Sequence, residues 1–468
     1  MNDKQKENPL GSDSVAQLLY RFAVPSIIAM LVSALYNIVD QFFIGRNVGA
    51  LGNAATNIAF PLSISCVAAA LLFGIGGASA FNIALGEGES RQAAHYIGNA
   101  ILMIVCVGTG LTLVSEVFME PLLRFFGSPE NVLDYAILYT RITAIGFPFL
   151  MLGTGGGHLI RADGNPKMTM ICNLTGAAVN TFLDYLFVSV LQWGMTGAAL
   201  ATVIGQVISA GIAVQYFFHF RTIEVKWEHL VPKWCYVRRV ISLGVAPCTN
   251  QLAMMLVQIV MNKTLKYYGG RSAYGEAIPI ACSGIIAKVN MIYMSFIIGI
   301  SQGMQPIASF NYGAKQYDRV KKTYRLAVSI GALLSVGAFL VFQFAPRQII
   351  SLFGNGEELY YQFATQYFHI FLFFTFVNFL QPISSNFFTA IGKPMKGAFL
   401  SLTRQTLFLL PLLLLLPLFL GMDGVLYAGP IADATAAVVT VLMIVIEFRK
   451  KEFRGCLPQK TEQKRRKI

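Results

Sequence analysis

The sequence predicts an all-α integral membrane protein with twelve transmembrane helices in two parallel six-helix bundles, related by a pseudo-twofold axis along the membrane normal. Three observations support this fold class: few charges, apolar stretches of membrane-spanning length, and an internal repeat. Hydrophobic residues make up 55% of the 468 residues and charged residues 13%, with a mean hydropathy of +0.59. Soluble proteins carry roughly 25% charged residues, so this composition is typical of a chain that faces hydrocarbon.

Twelve apolar stretches are long enough to cross a bilayer, which takes about 20 residues of helix. Many exceed this minimum, which predicts tilted helices or helices that extend into the aqueous phase. The predicted spans are 16–45, 53–85, 92–119, 131–160, 167–192, 196–220, 238–268, 277–311, 320–346, 358–391, 396–420 and 425–448.

The positive charges predict how these spans are oriented. If both termini are cytoplasmic, cytoplasmic segments carry 27 of the 36 Lys and Arg residues and outer segments carry 7, while Lys288 and Arg404 lie at membrane depth. Cytoplasmic loops of membrane proteins are enriched in Lys and Arg. We therefore expect a multi-pass protein of the cell (cytoplasmic) membrane, with both termini in the cytoplasm. This distribution explains the net charge of +13 without a nucleic-acid partner.

Motifs of other protein classes are missing or out of context. The N-terminus lacks the pattern of a cleaved signal peptide, and the seven cysteines contain no C-x-x-C pair that would indicate zinc or redox chemistry. The G-x-S-x-G run Gly299–Gly303 lies inside an apolar stretch, where no strand–turn–helix elbow can form. No nucleotide-binding loop is present. We therefore expect neither an enzyme, nor a cofactor, nor primary active transport.

An internal repeat relates the two halves of the chain. Gly164–Pro166 is echoed by Gly392–Pro394, and Gly194–Gly197 is echoed by Gly421–Gly424, at offsets of 228 and 227 residues. An even number of spans in each half makes the repeats parallel. The predicted segments are an N-terminal six-helix bundle (1–222) with a cation site, a cytoplasmic connecting loop (223–234), a C-terminal six-helix bundle (235–450) and a basic cytoplasmic tail (451–468).

Duplicated halves of this kind usually enclose a substrate cavity that opens alternately to each side of the membrane. Polar and ionisable residues at membrane depth are costly, so they are candidates for function. Three spans of the first half each carry two such residues spaced i, i+4, on one helix face. These pairs are Tyr36 and Asp40 (with Asn37 beside them), Asn180 and Asp184, and Thr202 and Gln206.

Convergence of these faces would gather Asp40, Asn180, Asp184 and Thr202 into a cluster of oxygen donors. Such a cluster suits a hard monovalent cation or a shared proton. The alternative is that both aspartates cap helix ends and face water. The repeat equates Asp40 with Asn262, and it maps the Asn180–Asp184 pair onto an apolar stretch. The one-sided carboxylates therefore predict a dedicated cation site in the first half.

The second half offers polar and flexible side chains that are candidates for a substrate cavity. They are Gln251, Gln258, Asn262, Lys288 and Met291, to which the first half adds Tyr36, Asn37 and Gln206. Methionine suits a cavity that accepts varied shapes. An alternative for Lys288 is a structural ion pair with Asp433.

Three stretches of this sequence resemble the multidrug and toxic compound extrusion (MATE) transporters, especially the bacterial MepA-like branch: 36–45, 161–166 and 197–202. The resemblance implies antiport, in which inward flow of sodium ions or protons drives export of amphipathic, often cationic, drugs. It also implies a cation site at Asp40, Asn180, Asp184 and Thr202, with Tyr36 in the same cavity. Relatives of the NorM type place acidic residues in the second half. Here those helices carry amides such as Gln381, so no second-half cation site is expected.

We therefore expect a rocking-bundle antiporter with a small organic cation as substrate, the lipid bilayer as its other partner, and a monomeric state. One alternative is a lipid-linked saccharide flippase, which would need several basic residues around a pyrophosphate and has only Lys288 and Arg404. A channel or receptor is a further alternative. A channel should show a pore lined by both halves, which the one-sided carboxylates disfavour.

Overall fold

A computed structural model describes residues 8–275, 277–352, 358–450 and 453, and these residues form helices and connections without any strand. Ten of the described helices are long and apolar enough to cross a membrane, or up to twelve if each of two bent pairs is one span. The all-α membrane fold is thus confirmed. The predicted basic tail, 451–468, lies outside the described residues except for Phe453.

The spans are labelled α1 to α12 in chain order, and each begins and ends within a few residues of its predicted limits. Four spans consist of consecutive helical segments. The bounds are α1 Val15–Asn47, α2 Ala50–Gly86, α3 Ser90–Val117, α4 Glu130–Ile145 with Phe147–Ala162, α5 Pro166–Asp184 with the π-helix Tyr185–Val190, α6 Gly194–Phe217, α7 Trp234–Gly269, α8 Ala277–Gly313, α9 Tyr317–Phe344, α10 Glu358–Phe371 with Thr375–Asn378 and Leu380–Ala390, α11 Pro394–Leu402 with the π-helix Thr403–Leu409 and Leu410–Leu420, and α12 Met422–Phe448.

Two spans are broken rather than straight. Helix α4 bends by 53° at Gly146, and α10 bends by 43° between Phe371 and Thr375. In α4 the second segment begins one residue before Pro148. Proline lacks the backbone N–H that would continue the hydrogen-bond ladder, so the helix restarts there with a new axis. The prediction of continuous spans over 131–160 and 358–391 missed these bends.

The internal repeat is visible in the backbone as well as in the sequence. Three pairs of residues between spans or at the start of a span, related by the repeat offset, share the positive φ that glycine adopts most easily. The pairs are Gly88 (φ 85°) and Lys315 (57°), Gly164 (87°) and Gly392 (71°), and Gly194 (57°) and Gly421 (57°). The two halves therefore turn alike at equivalent points. The segment limits at 222 and 235 stay predictions.

Two clusters of buried apolar side chains underlie this architecture. One is formed by the first half together with Val240, and the other is formed by the second half together with the start of α1, including Leu18, Leu19 and Phe22. Helix α1 packs against α8, and α2 packs against α7 and α8. The start of α1 is therefore buried in the second-half core.

Glycines let the helices of the two halves touch. A Cβ atom on Gly86 would overlap the backbone of Phe310 on α8, and one on Gly313 would overlap that of Ile83 on α2. Small residues allow such close backbone approach between membrane helices. Because α2 and α8 both end here, the halves are in contact at the end of the bundle where these helices finish.

We expect Gly244→Ala to destabilise this arrangement. Its Cβ would overlap the backbone of Leu72 on α2, whereas a Cβ on Gly337 would meet nothing within 4 Å. Forcing a methyl group into a packed contact typically costs about 1–3 kcal/mol. Thermal unfolding of the purified variant should show a lower midpoint, with Gly337→Ala as the control at or above wild type. Equal midpoints for the two variants would contradict the close α2–α7 contact.

Candidate functional site

The polar residues predicted for the first half lie together in the structure. Asp40 is on α1, Asn180 and Asp184 are on α5, and Thr202 is on α6. Helix α5 packs against both α1 and α6, and this packing turns the three polar faces toward one another. Asp184 is the last residue of the α-helical part of α5, directly before the π-helix Tyr185–Val190. Such π-turns inside α-helices occur frequently at functional sites.

Asn180 connects the members of this cluster. In the amide orientation that satisfies both of its polar atoms, Asn180 Nδ2 donates to Asp184 Oδ2 at 3.3 Å. Its Oδ1 accepts from the backbone N–H of Thr202, also at 3.3 Å. The amide thereby fixes the Asp184 carboxyl against α6 and leaves its second oxygen available.

The two carboxyl groups lie within hydrogen-bonding reach of each other. Asp184 is fully buried, and Asp40 is half-buried. In each residue Oδ1 is shielded from solvent and has no hydrogen-bond partner. A buried carboxylate oxygen without a partner is costly, and two adjacent carboxylates repel when both are ionised. The pair therefore favours a bound proton or a bound cation. The burial of Asp184 excludes the alternative in which it is a water-facing helix cap.

Tyr139 on α4 joins the cluster, although it is not among the residues predicted from the sequence. Its hydroxyl lies within hydrogen-bonding reach of the Thr202 side chain and close enough to Tyr36 and Asp40 to interact with them electrostatically. Tyr139 and Thr143 are spaced i, i+4, the same pattern that identified the other three spans. Applying that pattern to α4 would have revealed it.

Gln206, one turn after Thr202, lies against the bend of α4. Its Oε1 is buried without a hydrogen-bond partner and would meet a Cβ placed on Gly146. Gln206 was predicted to contact substrate, and the structure places its amide oxygen beside the break between the two segments of α4. Its assignment to substrate binding stays a prediction.

The second-half candidates are more exposed. Gln258 Nε2 donates to Asn262 Oδ1 at 3.0 Å across one turn of α7, and both side chains are exposed. Gln251 and Lys288 are half-buried, and Met291 is exposed. These positions stay predictions for a substrate surface.

The alternative ion pair between Lys288 and Asp433 is wrong. Asp433 on α12 accepts instead from Arg404 Nε on α11, and the pair is almost fully buried. Helices α11 and α12 pack side by side, so Arg404 reaches Asp433 from the adjacent helix. Lys288 makes no hydrogen bond or ion pair with a described residue.

The cluster differs from a site for a divalent transition metal. No group of three or more His, Cys, Asp or Glu side chains that could hold a metal lies within the described part of the chain. The first-half cluster combines two carboxylates with the amide of Asn180 and the hydroxyls of Thr202 and Tyr139. Hard oxygen ligands of this kind suit an alkali cation or a shared proton.

The sequence was compared with the profiles of known protein families to find the class of protein in which such a site occurs. The sequence profile of the family described as MatE matches residues 25–186 and 248–415, which together are more than half of the chain. The chain belongs to the MatE family. One MatE match falls in each half of the chain, in agreement with the internal repeat.

Individual MatE relatives extend the similarity over nearly the whole chain. The multidrug export protein MepA of Staphylococcus haemolyticus (strain JCSC1435) is 23% identical over 433 residues, which are 92% of this chain and 93% of that protein. The solved structure of the MATE multidrug transporter DinF-BH is 31% identical with a TM-score of 0.88, covering 97% of this chain and 100% of that chain. An outward-facing MATE transporter of the MOP superfamily is 21% identical with a TM-score of 0.87, covering 96% and 100%; it supports the fold.

Proposed function

We propose that this MatE protein is a secondary antiporter that exports amphipathic, cationic organic compounds in exchange for sodium ions or protons. One observation carries the proposal. Asp40 and Asp184 adjoin each other inside the first half, and each keeps a buried oxygen without a partner. These oxygens require a proton or a monovalent cation, and a coupling site must bind and release one during each cycle.

The cluster gives its members different tasks. Asp184 is fully buried and held by Asn180, so it binds the coupling ion and does not reach the substrate. Asp40 is half-buried and adjoins the exposed Asn37 and the half-buried Tyr36, so it can also attract a cationic substrate. Occupation of the pair by the coupling ion removes that attraction. The resulting difference in affinity between states is what couples the two flows.

The relatives support the substrate class. The Staphylococcus haemolyticus protein is named a multidrug export protein, and DinF-BH is described as a multidrug transporter. We infer a similar range of substrates for this chain, and a position in the cell membrane with both termini cytoplasmic and the protein acting as a monomer. The charge distribution over the loops supports the orientation.

The geometry disfavours the lipid-linked saccharide flippase. A pyrophosphate would need several cations at membrane depth. Of the two basic residues predicted to lie at membrane depth, Arg404 is neutralised by Asp433, and Lys288 makes no ion pair with a described residue. A single half-buried lysine is a poor match for a ligand with two or more negative charges.

Reconstitution into proteoliposomes tests the proposal. Efflux of a fluorescent cationic dye would be followed under an imposed sodium gradient, under an imposed pH gradient and under neither. We expect movement under one of the two gradients, and the gradient that works identifies the coupling ion. Collapse of that gradient by a matching ionophore should stop the efflux. Absence of movement under both gradients, with folded protein, would overturn the antiporter proposal.

A further inference from the structure

A cavity of about 360 Å³ lies at the end of the bundle where α1 and α5 begin and where α4 and α6 end. Its residues Arg21 and Lys167 lie at the starts of α1 and α5, whereas Asp40 and Asp184 lie near the other ends of these helices, so the cavity takes no part in the exchange proposed above. Its lining comes from the start of α1, from the turn between α4 and α5, and from the segment after α6. The lining residues are Arg21, Gly164, Asn165, Pro166, Lys167 and Arg221.

Three of these residues are cations from three separate segments. The side chains of Arg21, Lys167 and Arg221 make no ion pair or hydrogen bond with a described residue, and no acidic residue lines the cavity. All three side chains are exposed, and together they make the electrostatic potential of the cavity positive, an effect that salt screens. The cavity is therefore suited to a negatively charged ligand.

The nearest acid along the chain is already engaged. Asp163 is buried, and it accepts hydrogen bonds from the Tyr216 hydroxyl at 2.7 Å and from the backbone N–H groups of Arg221 and Thr222 at 2.8 and 3.0 Å. Burial raises the pKa of the Asp163 carboxyl above its usual range, although these hydrogen bonds oppose the shift. Asp163 thus anchors the backbone at Arg221 and is not available to neutralise the cations.

The backbone around the cavity is also fixed. Asn165 caps α5, since its Oδ1 accepts from the backbone N–H of Met168 at 3.3 Å. The start of α5 adds the partial positive charge of a helix N-terminus on the same side. Lys167 and Arg221 are therefore attached to a pre-formed turn, which lowers the cost of ordering them around a ligand.

We propose that this cavity binds a phosphate group, carried by an anionic phospholipid headgroup or by a soluble phosphate compound. Arginine and lysine together are the usual protein ligands of phosphate. If the termini are cytoplasmic, the cavity opens at the level of the anionic headgroups of the inner leaflet, and basic pockets between transmembrane helices bind such headgroups.

A bound phosphate would connect the two halves. The start of α1, which carries Arg21, is tied to the second half: Arg319 Nη2 on α9 donates to the backbone carbonyls of Leu10 and Asp13 at 3.0 and 2.7 Å. Lys167 and Arg221 belong to the first half. Binding therefore stabilises the arrangement in which the halves meet at this end and opposes its opening.

The test uses the full-length, delipidated protein in neutral detergent. Thermal unfolding and native mass spectrometry would be followed against short-chain phosphatidylglycerol and, separately, against inorganic phosphate, with ionic strength held constant by chloride. The triple variant Arg21→Gln/Lys167→Gln/Arg221→Gln would be compared with Arg238→Gln/Lys322→Gln/Arg325→Gln. The control removes three exposed cations without ion pairs from the starts of α7 and α9, the ends of these spans that are predicted to face the cytoplasm. The single variant Lys167→Gln serves if the triple variant is unstable.

We expect wild type and control to bind phosphatidylglycerol alike, and the cavity variant to bind at least about tenfold more weakly. A response to phosphatidylglycerol alone assigns the site to a lipid headgroup, and a response to inorganic phosphate as well assigns it to soluble phosphates. Equal binding by the cavity and control variants, or no response of the wild type to either ligand, would overturn the proposal. None of these readouts depends on antiport.

Discussion

Asp40→Asn is expected to slow gradient-driven dye export by about 5–150-fold. This factor corresponds to loss of a typical coupling free energy of about 1–3 kcal/mol between ion binding and substrate binding. The change keeps the shape of the side chain and removes one of the two carboxyl groups. The remaining carboxyl of Asp184 can still bind an ion, but nothing then makes ion binding and attraction of the substrate exclude each other. The measurement is the initial rate of efflux from proteoliposomes under the gradient that drives the wild type.

Asp134→Asn is the matched control. Asp134 is an exposed aspartate of α4 in the same half, so its replacement changes the net charge equally without touching the cluster. The control should export at the wild-type rate, and both variants should unfold at similar temperatures. Export by Asp40→Asn at the rate of the control would remove Asp40 from the coupling site.

Asp184→Asn separates the two tasks within the cluster. Asp184 is fully buried, so the variant should lose gradient-driven export while keeping equilibrium binding of the dye, measured by fluorescence anisotropy. Asp40→Asn should weaken that binding, because Asp40 is the carboxyl that is only half-buried. Identical binding by the two variants would argue against this division.

The spacing of polar residues along single helices predicted most members of the candidate site, because such spacing depends only on the local sequence. Asn180 and Asp184 share a face of α5 whatever packs against that face, so their proximity follows from the spacing alone. Their approach to Asp40 depends on how α1 packs on α5, and the prediction rested on the cost of leaving polar groups in hydrocarbon. The same cost favours convergence of the three polar faces over exposure of both aspartates to water, but it does not specify which side chains come into contact.

Other features depend on the rotation and tilt of helices, which no spacing along the chain encodes. Lys288 was one candidate partner of Asp433, but α11 and not α8 presents a cation to it. Tyr139 reaches the cluster because α4 packs against α6. The bend at Gly146 that accompanies this packing is invisible to a hydropathy window. The span limits, in contrast, were set by apolar length and were predicted closely.

The buried pair of Arg404 and Asp433 should produce the largest stability effect of any single substitution considered for this chain. The Arg404 side chain is 13% exposed and that of Asp433 is 4% exposed, so Arg404→Met would leave a buried carboxylate with no counter-charge. Removal of one partner from a buried pair typically costs about 3–5 kcal/mol. We expect a marked fall in the thermal unfolding midpoint of the purified protein and a low yield from membranes.

The double variant Arg404→Met/Asp433→Leu tests whether the stability of the protein depends on the ion pair itself or only on the absence of an unpaired buried charge. Two apolar side chains of similar size need no desolvation of charge, and such replacements are often neutral or stabilising. We therefore expect the double variant to unfold near the wild-type temperature. If the pair is purely structural, the double variant also exports dye at the wild-type rate. A stable double variant without export would instead show that the second half needs this ion pair for the transport cycle, in addition to the carboxylates of the first half.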